Sequence, residues 1–242
     1  AIQPLPARMP LFVSCVMALL PLIESSLSPG SDHDERGPVP RRRSLAVPEG
    51  SIVTLLGPNG AGKTTVILML ATVIKPTEGT ATVGNFDIRK QPDKVRGLLG
   101  IGFQEPKMLW VATPWDVVNW HAKVCGLSTS DRKQRVKDVL NAVEMWDARH
   151  KGVHNLSGGM RKRVEMAKVL IQRPKIAIVD EPTAQIDVIG KHRIWNMLRE
   201  LRKEGSTIIL ATNELQEADF LSDRVALMHT LFPLATLLPL RH

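Results

Sequence analysis

The sequence predicts an α/β protein: a mostly parallel sheet covered by helices on both faces. Three observations carry this expectation. Short apolar runs at 51–56, 98–103, 176–179, 207–211 and 224–228 alternate with helical stretches, and strands separated by helices pair in parallel. A glycine-rich turn, Gly57-Pro58-Asn59-Gly60-Ala61-Gly62-Lys63-Thr64-Thr65, comes after the first run and opens a helix. A block of helix over 114–150 interrupts the alternation, which marks an inserted subdomain.

Residues 1–44 do not resemble the rest of the chain. Met9–Ile23 is apolar but carries Pro10 and Pro21, and it is shorter than the about 20 residues a membrane span needs. Ser25–Arg43 is polar and rich in Pro and Gly, which reads as linker. Disordered or non-native sequence, an interfacial segment, and a signal or span all remain open for this stretch. Ser51–Leu56 reads as a buried strand, and Thr65–Ala71 as the start of a helix. Gly79–Gly84 alternates like a hairpin strand, and Leu98–Phe103 is a second buried strand ending at Gln104. Helices come next at Pro114–Val124 and Asp131–Arg149. In the latter, Val136, Val139, Leu140 and Val143 mark one apolar face. A helix from Ser157 to about Gln172, the strand Ile176–Val179, a helix from about Val188 to Lys203, and the strands Thr207–Ala211 and Arg224–Met228 complete the pattern.

Composition bounds the function classes. A hydrophobic fraction of 43% and a charged fraction of 23% suit a globular protein. The net charge of +8 permits contact with nucleic acid or anionic membrane without requiring either. Apart from Arg41–Arg43 and Arg161–Arg163 the basic residues are scattered, as on a solvated surface. Cys15 and Cys125 have no metal or disulfide spacing, which suits a reducing compartment.

The chemistry lies in four places. The turn at 57–65 fits a phosphate cradle: glycines aim backbone N–H groups inward and the helix N-terminus adds positive charge. Lys63 would reach the β- and γ-phosphates, and the Thr64 hydroxyl would ligate Mg²⁺. Asp180 and Glu181 end a buried strand at the edge where α/β proteins bind ligands. Asp180 suits a hard cation, and Glu181 suits a water-polarising base. Leu156-Ser157-Gly158-Gly159-Met160 opens another helix, with Ser157 as N-cap. It is a second anion-binding device, which suggests nucleotide held between two chains.

These motifs, taken in order with Gln104, Pro182–Asp187 and Asn213, identify residues from about 45 to 229 as similar to the nucleotide-binding subunit of ATP-binding cassette (ABC) transporters. The wording of the phosphate loop, with Glu217-Ala218-Asp219 and Ser222–Val225, resembles drug and antibiotic exporters. The resemblance implies a P-loop NTPase with a small antiparallel β part and a helical subdomain at about 105–160. It further implies Mg²⁺-ATP hydrolysis, a homodimer or paired ABC subunit, and a separate transmembrane permease. The subunit would sit peripherally on the cytoplasmic face of the membrane, with no nucleic acid as partner. Gln104 would reach Mg²⁺ and the attacking water. Ser157, Gly158 and Gly159 would meet the opposite protomer's γ-phosphate, and Asp187 would lie in the loop joining the two sites. The subdomain would dock on the permease, with Trp110, Trp115 and Trp120 either in that contact or in its core.

Three departures stand beside the resemblance. Asn213 occupies the position of the family's histidine, and it can donate a hydrogen bond but carries no charge. The chain has no Tyr, and residues 13–85 hold no Phe or Trp to stack on adenine. Such stacking contributes about 1–3 kcal/mol, so weak binding with little preference for ATP over GTP is expected. The segment 1–44 offers no evident strands for the antiparallel sheet, and His229–His242 lacks the glycine of the family's hairpin. Truncated or frame-shifted ends would explain both. Two other function classes are weighed: a soluble ABC-type ATPase acting on nucleic acid or ribosomes, and a hydrolysis-impaired remnant. No sustained heptads lie between Lys63 and Ser157, and the chain holds one cassette, which disfavours the first.

Overall fold

A computed structural model describes residues 13–17, 43–104, 108, 111–229 and 232–239, of which 13–17, 43, 44 and 232–239 are described by backbone alone. In chain order the elements are β1 (Val13–Met17), β2 (Arg43–Val47), β3 (Ile52–Leu56), α1 (Lys63–Leu70), β4 (Thr80–Val83), β5 (Phe86–Asp87) and α2 (Pro92–Arg96). Next come β6 (Leu99–Gly102), α3 (Pro114–Val124), α4 (Thr129–Ala142), α5 (Gly158–Gln172), β7 (Ile176–Asp180), α6 (Val188–Lys203), β8 (Thr207–Thr212), α7 (Leu215–Leu221), β9 (Arg224–His229) and β10 (Phe232–Pro239).

The main sheet has strand order β10-β9-β3-β8-β7-β6. The pairings from β9 to β6 are all parallel, and β10 closes one edge antiparallel to β9. Both faces are covered, which is why the strands read as unbroken apolar runs. Val53, Leu55, Ile176, Ile178 and Ile209 point into one core with α1 and the small sheet. Their neighbours Ile52, Ala177, Val179, Ile208 and Leu210 point into another, beneath α5 and α6. The predicted α/β class is the observed one.

The small antiparallel sheet has order β2-β1-β4-β5. Its strand β1 lies inside the apolar run at 9–23, so that run contributes Val13–Met17 to the sheet, where no strand was expected. Cys15 pairs with Leu45 on one side and Ala81 on the other. Leu45, Val47, Ala81 and Val83 are buried against α1. The β10 strand likewise pairs with β9 with shifts of register and without a glycine. The remaining readings on 1–42 concern residues outside those described, as does the bare adenine position expected upstream of the phosphate loop.

The helical block forms its own core, in which Val118 and Ala122 of α3 meet Val136, Val139 and Leu140 of α4. The second helix ends at Ala142 rather than running on to 149. Glu144 adopts a φ of +52°, and the N–H of Met145 returns to the carbonyl of Leu140. That C-cap turns Val143 and Met145 inward. Two short helices, α2 and α7, lie where none was predicted. They hold only five and seven residues, too few to show a period.

The phosphate loop packs against β9 so closely that a Cβ at Gly57 would lie 2.3 Å from the Met228 carbonyl oxygen. Gly57→Ala is therefore expected to cost about 1–3 kcal/mol in a urea unfolding series, because backbone must move to admit the methyl.

Candidate functional site

The strand register gathers the site. Leu56 pairs with Thr212 and Asp180 with Ala211, so β3, β7 and β8 end at one level. The glycine-rich loop, Glu181 and Asn213 all leave the sheet from that edge. Within the loop, Gly60 and Gly62 have φ of +82° and +91°, conformations that disfavour a Cβ. Gly62 caps α1 with no side chain between the first helical N–H groups and solvent, which leaves them available to an anion. Pro58 and Asn59 are exposed and Ala61 is buried beneath them; Thr65 is exposed on the first turn of α1.

Lys63 is 5% exposed and folds back under the loop, donating to the carbonyls of Gly57 at 2.8 Å and Pro58 at 3.0 Å. Its ammonium lies 3.8 Å from Glu181 Oε1. The Thr64 hydroxyl donates to Asp180 Oδ2 at 2.8 Å. Asp180 Oδ1 is buried without a hydrogen-bond partner, an orphan acceptor suited to a cation. Gln104, just past β6, donates from Nε2 to Glu181 Oε2 at 2.7 Å. Glu181 itself sits at φ +44°, a left-handed conformation that costs a non-glycine residue about 1–2 kcal/mol. Asn213 is exposed and donates to the Asn59 side chain at 3.2 Å, over the loop.

Lys63, Thr64, Gln104, Asp180, Glu181 and Asn213 are thus brought together. Ser157, Gly158, Gly159 and Asp187 lie elsewhere, and no hydrogen bond among the described residues joins them to the loop. Ser157 caps α5 through the N–H of Met160 at 3.2 Å, and a Cβ on Gly158 or Gly159 would meet nothing within 4 Å. The start of α5 is therefore an open, uncovered helix N-terminus. Asp187 caps α6 through Gly190, and that N–H holds its carboxyl below the usual range. Trp115 packs edge-on against Trp146 inside the subdomain, whereas Trp120 is 66% exposed; Trp110 lies outside the described residues.

Three buried ionisable residues, Lys162, Glu165 and Glu217, were given no role in the reading of the sequence. Lys162 donates to the Glu181 carbonyl at 2.9 Å. It shares a helix face with Met166 and Val169, whose side chains are core, and this spacing was the available signal. Glu217 on α7 is 1% exposed and accepts from Thr183 Oγ1 at 2.8 Å and Trp195 Nε1 at 3.0 Å. Burial raises its carboxyl above the usual range, against the lowering pull of bonds from Thr212, Thr183 and Trp195. The folded protein then keeps a proton on Glu217 at pH values where the unfolded chain has lost it. The stability this confers is complete below the unfolded carboxylate range and drains away as pH rises through the folded value. Glu217→Gln removes that drain, so its melting temperature relative to wild type is expected to climb as pH rises above the unfolded carboxylate range, as read by calorimetry.

Comparison with known proteins agrees with this geometry. Residues 41–184 match the ABC transporter family. An ABC transporter ATP-binding protein of Pyrococcus furiosus is 38% identical over 201 residues, which cover 82% of this chain and 74% of that protein. The daunorubicin/doxorubicin resistance ATP-binding protein of Streptomyces peucetius is 35% identical over 184 residues, 76% of this chain and 56% of that protein. The solved structure of cbiO1 from Clostridium perfringens, part of the ABC transporter complex cbiONQ, superposes with a TM-score of 0.74 at 29% identity. That match covers 94% of this chain and 88% of the other. The chain belongs to the ABC transporter family and is one of its ATP-binding subunits, an ATPase of transport.

Proposed function

We propose that this chain hydrolyses ATP at the loop of residues 57–65 and drives a separate membrane permease as one half of a dimer. The observation that carries the reading is the contact of Gln104 and Lys63 with the buried carboxylate of Glu181, beside the Thr64–Asp180 bond. Backbone N–H groups of Gly60, Ala61 and Gly62 and the ammonium of Lys63 hold the phosphates and stabilise charge that develops on the γ-phosphoryl group. Glu181 accepts the proton of the attacking water, and Gln104 orients both. Asn213 reaches the γ-phosphate edge as a neutral donor.

Thr64, Asp180 and Gln104 offer a hydroxyl, a carboxylate and an amide oxygen. The orphaned Asp180 Oδ1 makes that set fit Mg²⁺ rather than a soft metal. Bound there with ATP, Mg²⁺ would neutralise charge on the β- and γ-phosphates.

The open start of α5 supports the dimer. Lys63 already serves the γ-phosphate of its own site, so Ser157, Gly158 and Gly159 serve that of a second protomer, with Asp187 in the loop between sites. The cassette is the body from 45 to 229, joined by Val13–Met17 through its antiparallel sheet, and the subdomain at about 105–160 is the docking surface for the permease. Membership of cbiO1 in a transporter complex supports that partner. With such a partner the subunit attaches peripherally at the cytoplasmic face; among the described residues no helix is long and apolar enough to cross a membrane.

Glu181→Gln is expected to lower steady-state turnover about 100-fold or more while affinity for a non-hydrolysable ATP analogue stays within about threefold; an active variant would sink the base assignment. Asn213→Ala should reduce kcat by a smaller factor, about tenfold, through loss of one γ-phosphate hydrogen bond of about 1–1.5 kcal/mol. Unchanged phosphate release would remove Asn213 from the site.

A further inference from the structure

The two residues that meet at the reacting end, Gln104 and Glu181, stand on loops after different strands. Glu181 lies in a left-handed conformation that its side chain disfavours. Phe103, next to Gln104, lies beyond the end of β6. Both loops touch α5. One turn into that helix, Lys162 donates to the Glu181 carbonyl at 2.9 Å. The residue three further on, Glu165, accepts from the Phe103 N–H at 3.3 Å. Positions i and i+3 lie on one helix face, so a single stripe of α5 grips both loops, with a lysine on one and a carboxylate on the other.

The grip is a costly one to build. Lys162 is 7% exposed and Glu165 2%, and buried charges persist only when paired and hydrogen-bonded. Burial pulls the Lys162 ammonium below its usual range, while Glu165, Asp180, Glu181 and Glu217 pull it back. Lys168 closes on Glu165 at 2.8 Å. The Glu181 carbonyl accepts a second bond from the Ala184 N–H at 3.3 Å, and the Glu181 N–H donates to Ala211 at 2.8 Å. Every polar backbone group of Glu181 is therefore tied, one of them to α5. A neutral side chain would serve for packing alone, whereas a charged donor gives a short, directional bond to a carbonyl.

We propose that Lys162 and Glu165 are positioning residues: from one face of α5 they hold the Glu181 and Phe103 backbones and so set the Gln104–Glu181 pair. This rests on the reading of Glu181 as the base. Because α5 begins at Ser157–Gly159, the pair also ties each protomer's own base to the helix that it offers to its neighbour's nucleotide.

The test is ATP turnover of Lys162→Met, Lys162→Arg and Glu165→Gln, alone and with Glu181→Gln, beside titration with a non-hydrolysable ATP analogue and thermal melts. Lys162→Met is expected to lower kcat about tenfold to a hundredfold, as a displaced catalytic group does, with KM and analogue affinity within about twofold. Lys162→Arg restores a charged donor and recovers most of the rate. In the Glu181→Gln background Lys162→Met has no further effect, since it acts through the group already removed; a merely structural role would lower both backgrounds alike. Wild-type turnover in Lys162→Met beside an inactive Glu181→Gln overturns the inference alone, as does an equal further loss in the double variant. An active Glu181→Gln overturns the base assignment and the inference with it. Should Lys162→Met melt below the assay temperature, Glu165→Gln carries the same readings, and its unchanged kcat overturns the proposal.

Discussion

The in-register ending of three parallel strands is the constraint on which the rest depends. Leu56 beside Thr212, and Asp180 beside Ala211, bring three loops to one edge of the sheet. The ladder continues one step past the strands, with Gly57 donating to Thr212 and Glu181 to Ala211. A shift of one residue in β7 would turn Asp180 to the other face of the sheet and break its bond to Thr64. The apolar runs flanking these positions hold the register, because their alternate residues fill two different cores.

Against that apolar frame stands a cluster of buried charge. Lys63, Asp180, Glu181, Lys162, Glu165 and Glu217 are each less than a tenth exposed. Burying such groups costs several kcal/mol per ion before pairing offsets it, so the cluster is a poor stabilising device. Its geometry makes sense as chemistry. Lys63 stands between loop carbonyls and a carboxylate, Asp180 keeps one oxygen unpartnered, and Glu181 holds a strained backbone. Strain and unsatisfied polarity gather where a ligand is to be bound, and the surrounding cores supply the stability that tolerates them.

The α5 helix joins the two halves of the molecule. One stripe, with Val164, Ala167 and Ile171, lies in the core of the helical subdomain. Another, with Met166 and Val169, lies under the main sheet. Lys162 and Glu165 extend that second face toward the catalytic edge. The helix is buried along most of its length and so packs the subdomain against the main sheet. Glu144 adds a link at the surface, its carboxylate meeting Arg163 on α5 and Arg193 on α6.

The local sequence was enough for whatever depends on near neighbours. The phosphate loop, the acidic end of β7, the cap at Ser157 and the apolar face of α4 all rest on spacing within a few residues, and each lies where the pattern put it. Tertiary structure alone decided what depends on distant partners. Val13–Met17 is a strand because β2 and β4 flank it, which no reading of an isolated apolar run bracketed by prolines reveals. Glu217 has its carboxyl raised above the usual range because the folded chain buries it, against the opposing pull of the donors Thr183 and Trp195 from far off in the sequence. Lys162 belonged to a basic triplet until the fold set the Glu181 carbonyl against it. Charge and period can be read along the chain, but the dielectric around a side chain and the partner it meets exist only once the sheet has closed over it.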